Sequence, residues 1–435
     1  MVVGQRFRLI DVGVRGGMAT VHRGHDLVAD AHVAIKLVAL ATPDERERFA
    51  REAAILARLT DPVIVRYVAH GHASPTVGFL VTEWIDGPTL AERLAADGVS
   101  VAEAVAMVRA IAGGLAAAHA LGVVHRDLTP SNLLFPRGGG AVKLIDFGVA
   151  RAIAPDARVT ATGVVVGTPG YMAPEQARGD KAVDTRADLF ALGCVLYECL
   201  AGRPAFCGEG RAATLAKIVF AEPPPLDDRC PEAPPALRAI VARLLAKDPA
   251  ARFARAEDVA AALAALGPVP DGPRRSTRTP LATTAIRPSG PRLDARLALV
   301  IMTSALEPGP GDDLGDLAAA PGARLAQLEG GAVAITVSVA GTPTAQAGQA
   351  AQVALALRAR RPTATMVVAA GAGAGGLDEV IDRAAGTLAM LALFGDGRPA
   401  IHLDELVAAL LRRDFDVGDA PAGAVLVAAR PAAPA

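Results

Sequence analysis

Between Phe7 and Leu40 the apolar positions fall in short runs, Phe7-Arg8-Leu9-Ile10 first and Ala31–Leu40 last, a spacing that predicts short strands. Val77–Glu83 is a near-continuous apolar strand of the same kind. Between them the period lengthens. Thr42-Pro43-Asp44-Glu45 offers a cap, a proline in the first turn and acids at the positive end of a helix. Phe49, Ala53, Leu56 and Leu59 then recur at helical spacing. Ser100-Val101-Ala102-Glu103 is a capping box that opens an alanine-rich helix running to about Leu121. That helix carries Glu103 and Arg109 and reads as a buried core helix, not a membrane span. Val142–Ile145 is a short strand, and a helix over Ala256–Leu266 closes the region.

The pattern breaks over Gly267–Arg292, where prolines alternate with Arg274, Arg275, Arg278 and Arg287, and Ser276, Thr277 and Thr279 lie among them. No core forms from such a stretch, so 267–292 is expected to be an extended, mobile linker, either an autophosphorylation target or an inert spacer. Periodicity returns over 293–430. Leu297–Met302, Ala332–Val339 and Thr365–Ala370 read as strands. Gln346–Arg360 and Asp378–Leu393 read as helices, and Ala400–Leu411 continues into another. This β-α-β-β-α-β order predicts a second, smaller ferredoxin-like α+β domain.

Composition adds bounds. The chain has 435 residues, long for one domain. With 44 basic and 45 acidic side chains the net charge is -1, which gives no reason to propose a nucleic-acid or anionic-membrane partner. Aromatics are only 3%, so the cores are built from Leu, Val, Ile and Ala. Cys194, Cys199, Cys207 and Cys230 show no C-x-x-C spacing, which argues against a metal site or disulfide framework and for a reduced, cytoplasmic setting. Met1–Gln5 is too short and too weakly apolar for a signal peptide.

The candidate chemistry sits at the joints of these elements. Gly13-Val14-Arg15-Gly16-Gly17-Met18-Ala19-Thr20-Val21 is a glycine-rich turn whose backbone N–H groups can approach phosphates without side-chain clash. Lys36 ends Val33-Ala34-Ile35-Lys36 and needs a carboxylate to fix its position; Glu52, on the following helix, is the candidate. Residues 124–132, Val-His-Arg-Asp-Leu-Thr-Pro-Ser-Asn, place Asp127 and Asn132 on one short loop. A carboxylate there can take the proton of an incoming hydroxyl, and an amide nearby can hold a metal ion on phosphates. Asp146-Phe147-Gly148 follows the strand 142–145.

Over residues 7–266 these motifs resemble those of the bacterial eukaryotic-like serine/threonine protein kinases. The resemblance implies a bilobal α+β kinase domain, ATP as nucleotide, Mg2+ or Mn2+ as cofactor, and protein Ser or Thr hydroxyls as acceptors. It implies that Gly13, Gly16 and Gly17 cover the phosphates and that Lys36, paired with Glu52, holds them. Backbone groups of Glu83 and Ile85 would bond adenine, with Val21 and Ala34 on one face of the ring and Leu134 on the other. Asn132 and Asp146 would hold the metal, Asp127 would orient the hydroxyl, and Thr168 would favour Ser or Thr over Tyr. Asp188 would brace the catalytic loop. Val149–Gly167 would be an activation loop, with Thr160 and Thr162 as phosphate acceptors facing Arg126. Three departures stand out: Val14 and Ala19 occupy the places of the family's first and third glycines, and Thr129 that of a lysine near the γ-phosphate. One donor near developing charge is worth about 2–4 kcal/mol of barrier, so the alternative is a nucleotide-binding scaffold with weak or no turnover.

The order of the C-terminal elements, with Val380-Ile381-Asp382-Arg383-Ala384-Ala385, resembles the class III nucleotide cyclase homology domains. The aspartate expected on the first strand is absent from Val300-Ile301-Met302-Thr303, and Gly330-Gly331 stands where Asp-Gly is expected. Without two carboxylates nothing holds two metals. The implied domain is catalytically inactive and serves regulation, self-association or partner binding.

Overall fold

The N-terminal strands pair as their alternation requires. The computed structural model describes residues 1–11, 13–15, 19–147, 169–180, 182–208, 210–269, 271–277, 297–304, 314, 317, 320–328, 332–372, 376–394, 398–420 and 423–430. Strands β1 (Val2–Val3), β2 (Phe7–Leu9), β3 (Val14–Arg15), β4 (Ala19–Asp26), β5 (Ala31–Ala39), β6 (Tyr67–Ser74) and β7 (Val77–Glu83) form one sheet in the order β1-β2-β4-β5-β7-β6, with β3 against β4. Adjacent strands are antiparallel. One face packs Phe7, Val33, Ile35, Phe79 and Val81 together. Leu80 meets Phe49 and Ala53 of the helix α1 (Pro43–Leu56). The cap of α1 is the one the sequence predicts: Thr42 accepts the Glu45 N–H, and Glu45 caps back.

The helical part begins with α2 (Leu90–Ala95) and α3 (Val101–Ala120), each opened by a capping box. By length and mean hydropathy α3 could cross a membrane. Here its apolar residues Val108, Ile111 and Leu115 are buried, and it packs against the helices Arg186–Ala201 and Ala256–Ala264. Arg186–Ala201 is buried along almost its whole length and stops at Gly202, whose φ of 68° gives the left-handed turn that ends many helices. Strands β8 (Leu133–Leu134) and β9 (Lys143–Leu144) pair just after the loop of candidate catalytic residues.

Contacts divide the chain into two units: Met1–Ala173 with Ala182–Ala205 and Pro224–Leu281, and Pro174–Lys181 with Phe206–Pro223 and Ala282–Ala435. In the second unit β10 (Leu297–Thr303), β11 (Ala323–Gln327), β12 (Val333–Val337), β13 (Met366–Ala372), β14 (Ile401–Leu403), β15 (Phe415–Ala420) and β16 (Gly423–Ala429) form a sheet in the order β11-β12-β10-β13-β14-β16-β15. Its first four positions are antiparallel neighbours in the order that a β-α-β-β-α-β reading requires. β10 carries no carboxylate. Strands β11 and β15 escape the sequence pattern because polar residues interrupt their apolar positions, and the sequence reading also leaves out β16, an apolar run. Also in this unit, Lys217 of the helix Arg211–Phe220 is buried, with its Nζ 2.7 Å from Asp382 Oδ2 and 3.3 Å from Asp378 Oδ2.

The expected free spacer is corrected at its start. Residues 271–277 pack within the first unit, with Arg275 bridged to Val99 as in an added strand. Backbone pairing and the half-buried Arg275–Glu232 ion pair outweigh the proline- and arginine-rich composition there.

Candidate active site

The loop 124–132 is held from beneath by one carboxylate. Asp188, 1% exposed on the long buried helix, accepts the His125 N–H and His119 Nε2–H on Oδ2 and the Arg126 N–H on Oδ1, each at 2.8 Å. This grip holds Arg126 at a φ of 63°, a left-handed conformation that non-glycine residues rarely adopt. His125 is locked as well. Its Nε2–H donates to the Ile145 carbonyl at 2.9 Å, and its Nδ1 accepts the Asp127 N–H at 3.3 Å, so the two partners fix the ring tautomer. The same ring lies 4.7 Å from that of Phe147, which is buried. One histidine therefore ties the Asp127 loop to the strand that leads into Asp146.

Asn132 is in reach of Asp127. Its Nδ2 donates to the Asp127 carbonyl at 2.7 Å and to Oδ2 at 3.3 Å. Because the amide nitrogen is committed to oxygens, Oδ1 is the atom left for a cation. Asp146 follows at a φ of 64°, again left-handed. Its Oδ1 lies 2.6 Å from Lys36 Nζ, joining residues 110 positions apart. An amide oxygen and a carboxylate are hard donors of the kind Mg2+ takes, so the residues present fit the cation that the motifs imply.

Lys36 thus pairs with Asp146. Glu52, its expected partner, lies on α1, is partly exposed, and makes no hydrogen bond or ion pair with Lys36. Sequence order places Glu52 on the correct helix; the packing of α1 decides whether its carboxylate meets the amine.

A cavity of about 580 Å³ opens beside this pair. Val21, Ala34, Lys36, Glu83, Ile85, Leu134 and Asp146 all line it, with Thr82 and Trp84. Ala34 and Val21 come from paired strands β4 and β5, and Leu134 from β8. The wall continues to Leu56, Leu59, Ile64, Tyr67 and Phe147, so the space is mostly apolar with a few polar groups in its lining, as small-molecule sites generally are. Glu83 serves the scaffold with its side chain: Oε1 accepts Lys143 Nζ at 2.8 Å and the Arg66 N–H at 2.9 Å. Burial alone would raise its carboxyl, but these partners outweigh burial and hold it below the ordinary value. Its backbone N–H donates to the Arg66 carbonyl at 2.9 Å.

Gly13 sits at a φ of 78°, and a Cβ there would stand 2.5 Å from the His22 ring, so only glycine fits. β3 and β4 pair Val14 with Val21 and Arg15 with Thr20, which builds the expected hairpin. Gly16, Gly17, Thr160, Thr162 and Thr168 lie outside the described residues. Thr129, in the place of the family's lysine, is 5% exposed. The sequence reading missed His119 and Lys143. His119 lies in the last turn of α3, a position that hints at the following loop; Lys143 carries no such sign.

Residues 11–263, more than half of the chain, match the family model described as "Protein kinase domain". Serine/threonine-protein kinase PknB of Mycolicibacterium smegmatis is 37% identical over 279 residues, 62% of this chain and 44% of that protein. Serine/threonine-protein kinase PknD of Mycobacterium tuberculosis is 42% identical over 265 residues, 59% of this chain and 39% of that protein. The chain spans less than half the length of either relative. The crystal structure of Rad53 1-466 in complex with AMP-PNP aligns with a TM-score of 0.48 and 27% identity, over 59% of this chain and 64% of that one. With Lys36 and Asp146 paired on the wall of the cavity, Asp127 and Asn132 bonded to each other on one short loop, and the family model spanning the whole region that builds them, the chain belongs to the protein kinase family.

Proposed function

We propose that the chain transfers the γ-phosphoryl group of ATP to Ser or Thr hydroxyls of proteins, its own among them, in bacterial signalling. The observation that carries this reading is the convergence of Lys36 and Asp146 at 2.6 Å on the wall of a cavity large enough for a nucleotide base. The names of the relatives support the choice of Ser and Thr as acceptors. Adenine would lie between Ala34 and Leu134, its edge on the backbone of Glu83 and Ile85. Lys36 would bind phosphate oxygens, releasing part of its hold on Asp146. A bound Mg2+ or Mn2+ would neutralise phosphate charge, held by Asn132 Oδ1 and the Asp146 carboxylate. Asp127, positioned by Asn132 and by the braced loop, would accept the proton as the acceptor oxygen bonds to phosphorus and the bond to the ADP oxygen breaks. We assign Thr168 to the choice of acceptor. For the C-terminal unit we propose regulation, self-association or partner binding.

A second reading, a nucleotide-binding scaffold, is favoured by Thr129 and Val14. The two are separated by label transfer from γ-labelled ATP to a generic basic protein, wild type against Asp127→Asn, with nucleotide binding followed through Trp84. Transfer lost in Asp127→Asn supports the kinase. Equal transfer by both refutes the role of Asp127, and binding without transfer by wild type selects the scaffold.

A further inference from the structure

Residues 271–277 form a strap seated in a slot of the first unit. Arg275 N–H donates to the Val99 carbonyl at 2.9 Å and its own carbonyl accepts the Val99 N–H at 3.2 Å, an antiparallel bridge. The Arg275 guanidinium grips Glu232 with both carboxylate oxygens, Nη2 at 2.7 and 2.9 Å and Nε at 3.2 Å. Arg274 Nη2 reaches Glu103 at 3.0 Å. The floor is shaped for a close backbone. Gly98 lies at a φ of +69°, and a Cβ there would stand 2.1 Å from the Arg275 carbonyl oxygen. Gly202 lies at +68°, with the Ser276 carbonyl 3.2 Å from its would-be Cβ. The strap lies beyond residues 11–263, so the family match does not account for it.

Its last described residue is the exposed Thr277. One acceptor takes both of its donors: the Leu94 carbonyl receives the Thr277 N–H at 2.8 Å and the Oγ1–H at 3.3 Å. We propose that Thr277 is a phosphorylation site whose modification releases the strap. The source of phosphate rests on the kinase reading above. In the transfer, Oγ1 bonds to the γ-phosphorus, the bond to the bridging oxygen breaks, ADP leaves with the electron pair, and the hydroxyl proton passes to the catalytic base.

The product no longer fits the slot. A phosphate ester has no Oγ1–H to donate, and its charge of roughly −1.5 to −2 faces the Leu94 carbonyl, whose oxygen is itself negative. The same phosphate lies two residues from Arg275 and one from Arg278 in sequence, and it competes with Glu232 for a bidentate guanidinium. The other charges near the slot do not offset this. Arg93 is engaged by Glu103 at 3.4 Å and lies over the Phe135 ring at 4.3 Å, and Glu103 and Glu232 repel the newcomer.

The test uses the full chain, treated with phosphatase and then incubated with ATP and magnesium, beside Asp127→Asn treated alike. Phosphosites are mapped by mass spectrometry, and hydrogen exchange is measured for the Arg275 and Thr277 amides. The expected result is phosphate on Thr277 in wild type alone, with exchange at both amides at least about tenfold faster. Phosphate on other residues but none on Thr277 overturns the proposal while the kinase reading stands. No phosphate anywhere overturns both. Thr277→Glu in the Asp127→Asn background tests release apart from activity: faster exchange at Arg275 supports it, and unchanged protection overturns it.

Discussion

Asp188→Asn probes the catalytic loop while keeping its volume. The substitution removes the charge and turns one acceptor oxygen into a donor. Both oxygens face N–H groups, at 2.8 Å in each case, so an amide in either orientation points hydrogens at hydrogens. At least one charge-assisted bond is lost, worth about 1.5–3 kcal/mol, and a buried donor is left unmatched, costing about 1–3 kcal/mol. Some returns when Arg126 relaxes from its left-handed backbone, which costs about 1–2 kcal/mol to hold. The net expectation is a loss of roughly 2–4 kcal/mol, a large share of a domain's typical ~5–15 kcal/mol. The relaxed loop also carries Asp127, and a displacement on the order of 1 Å costs about a hundredfold in rate. Trp84 is the single tryptophan and lines the cavity, so its fluorescence during urea unfolding reads this unit. A variant that loses less than about 1 kcal/mol and keeps its turnover would show that the carboxylate does not hold the loop.

Other outcomes follow from single contacts. Asp26, 1% exposed, is brought down to about 2 by the Arg6 guanidinium at 2.6 and 2.8 Å, helped by the Val28 and Ala29 N–H groups against the opposing effect of burial. A depressed carboxyl stabilises the fold fully above its unfolded value and loses that contribution as pH falls from about 4 through about 2. The melting temperature of Asp26→Asn should therefore fall less steeply over that window; equal slopes would count against the ion pair. Lys36→Ala should weaken ATP binding at least about tenfold in a Trp84 titration, in line with about 1.5–3 kcal/mol for a charge-assisted contact, and an unchanged affinity would remove Lys36 from the site. Gly98→Ala should unseat the strap and speed exchange at the Arg275 and Thr277 amides, because its Cβ overlaps the Arg275 carbonyl; retained protection would mean that the slot tolerates a side chain.

Local structure was legible where the deciding groups are neighbours in sequence. The caps of α1 and α3 were visible in Thr42–Glu45 and Ser100–Glu103, because each donor and acceptor lies within one turn. The loop of Asp127 and Asn132 was visible too, since five residues fix their reach. In the C-terminal unit, three strands and both long helices followed from periodicity, while the half-exposed β11 and β15 left no continuous apolar run to find.

By itself the sequence determined which residues are available to the chemistry, and on which element each one rides. Only the tertiary structure decided the partners: Asp146 rather than Glu52 for Lys36, Asp188 for two backbone N–H groups 63 and 62 residues away, and a slot for a segment whose composition predicted a free tether. The physical reason is range. Capping and periodicity act within a turn, where the chain itself sets the geometry. An ion pair between distant positions depends on how whole elements pack, and a displacement of a few ångströms moves a carboxylate from one amine's reach to another's.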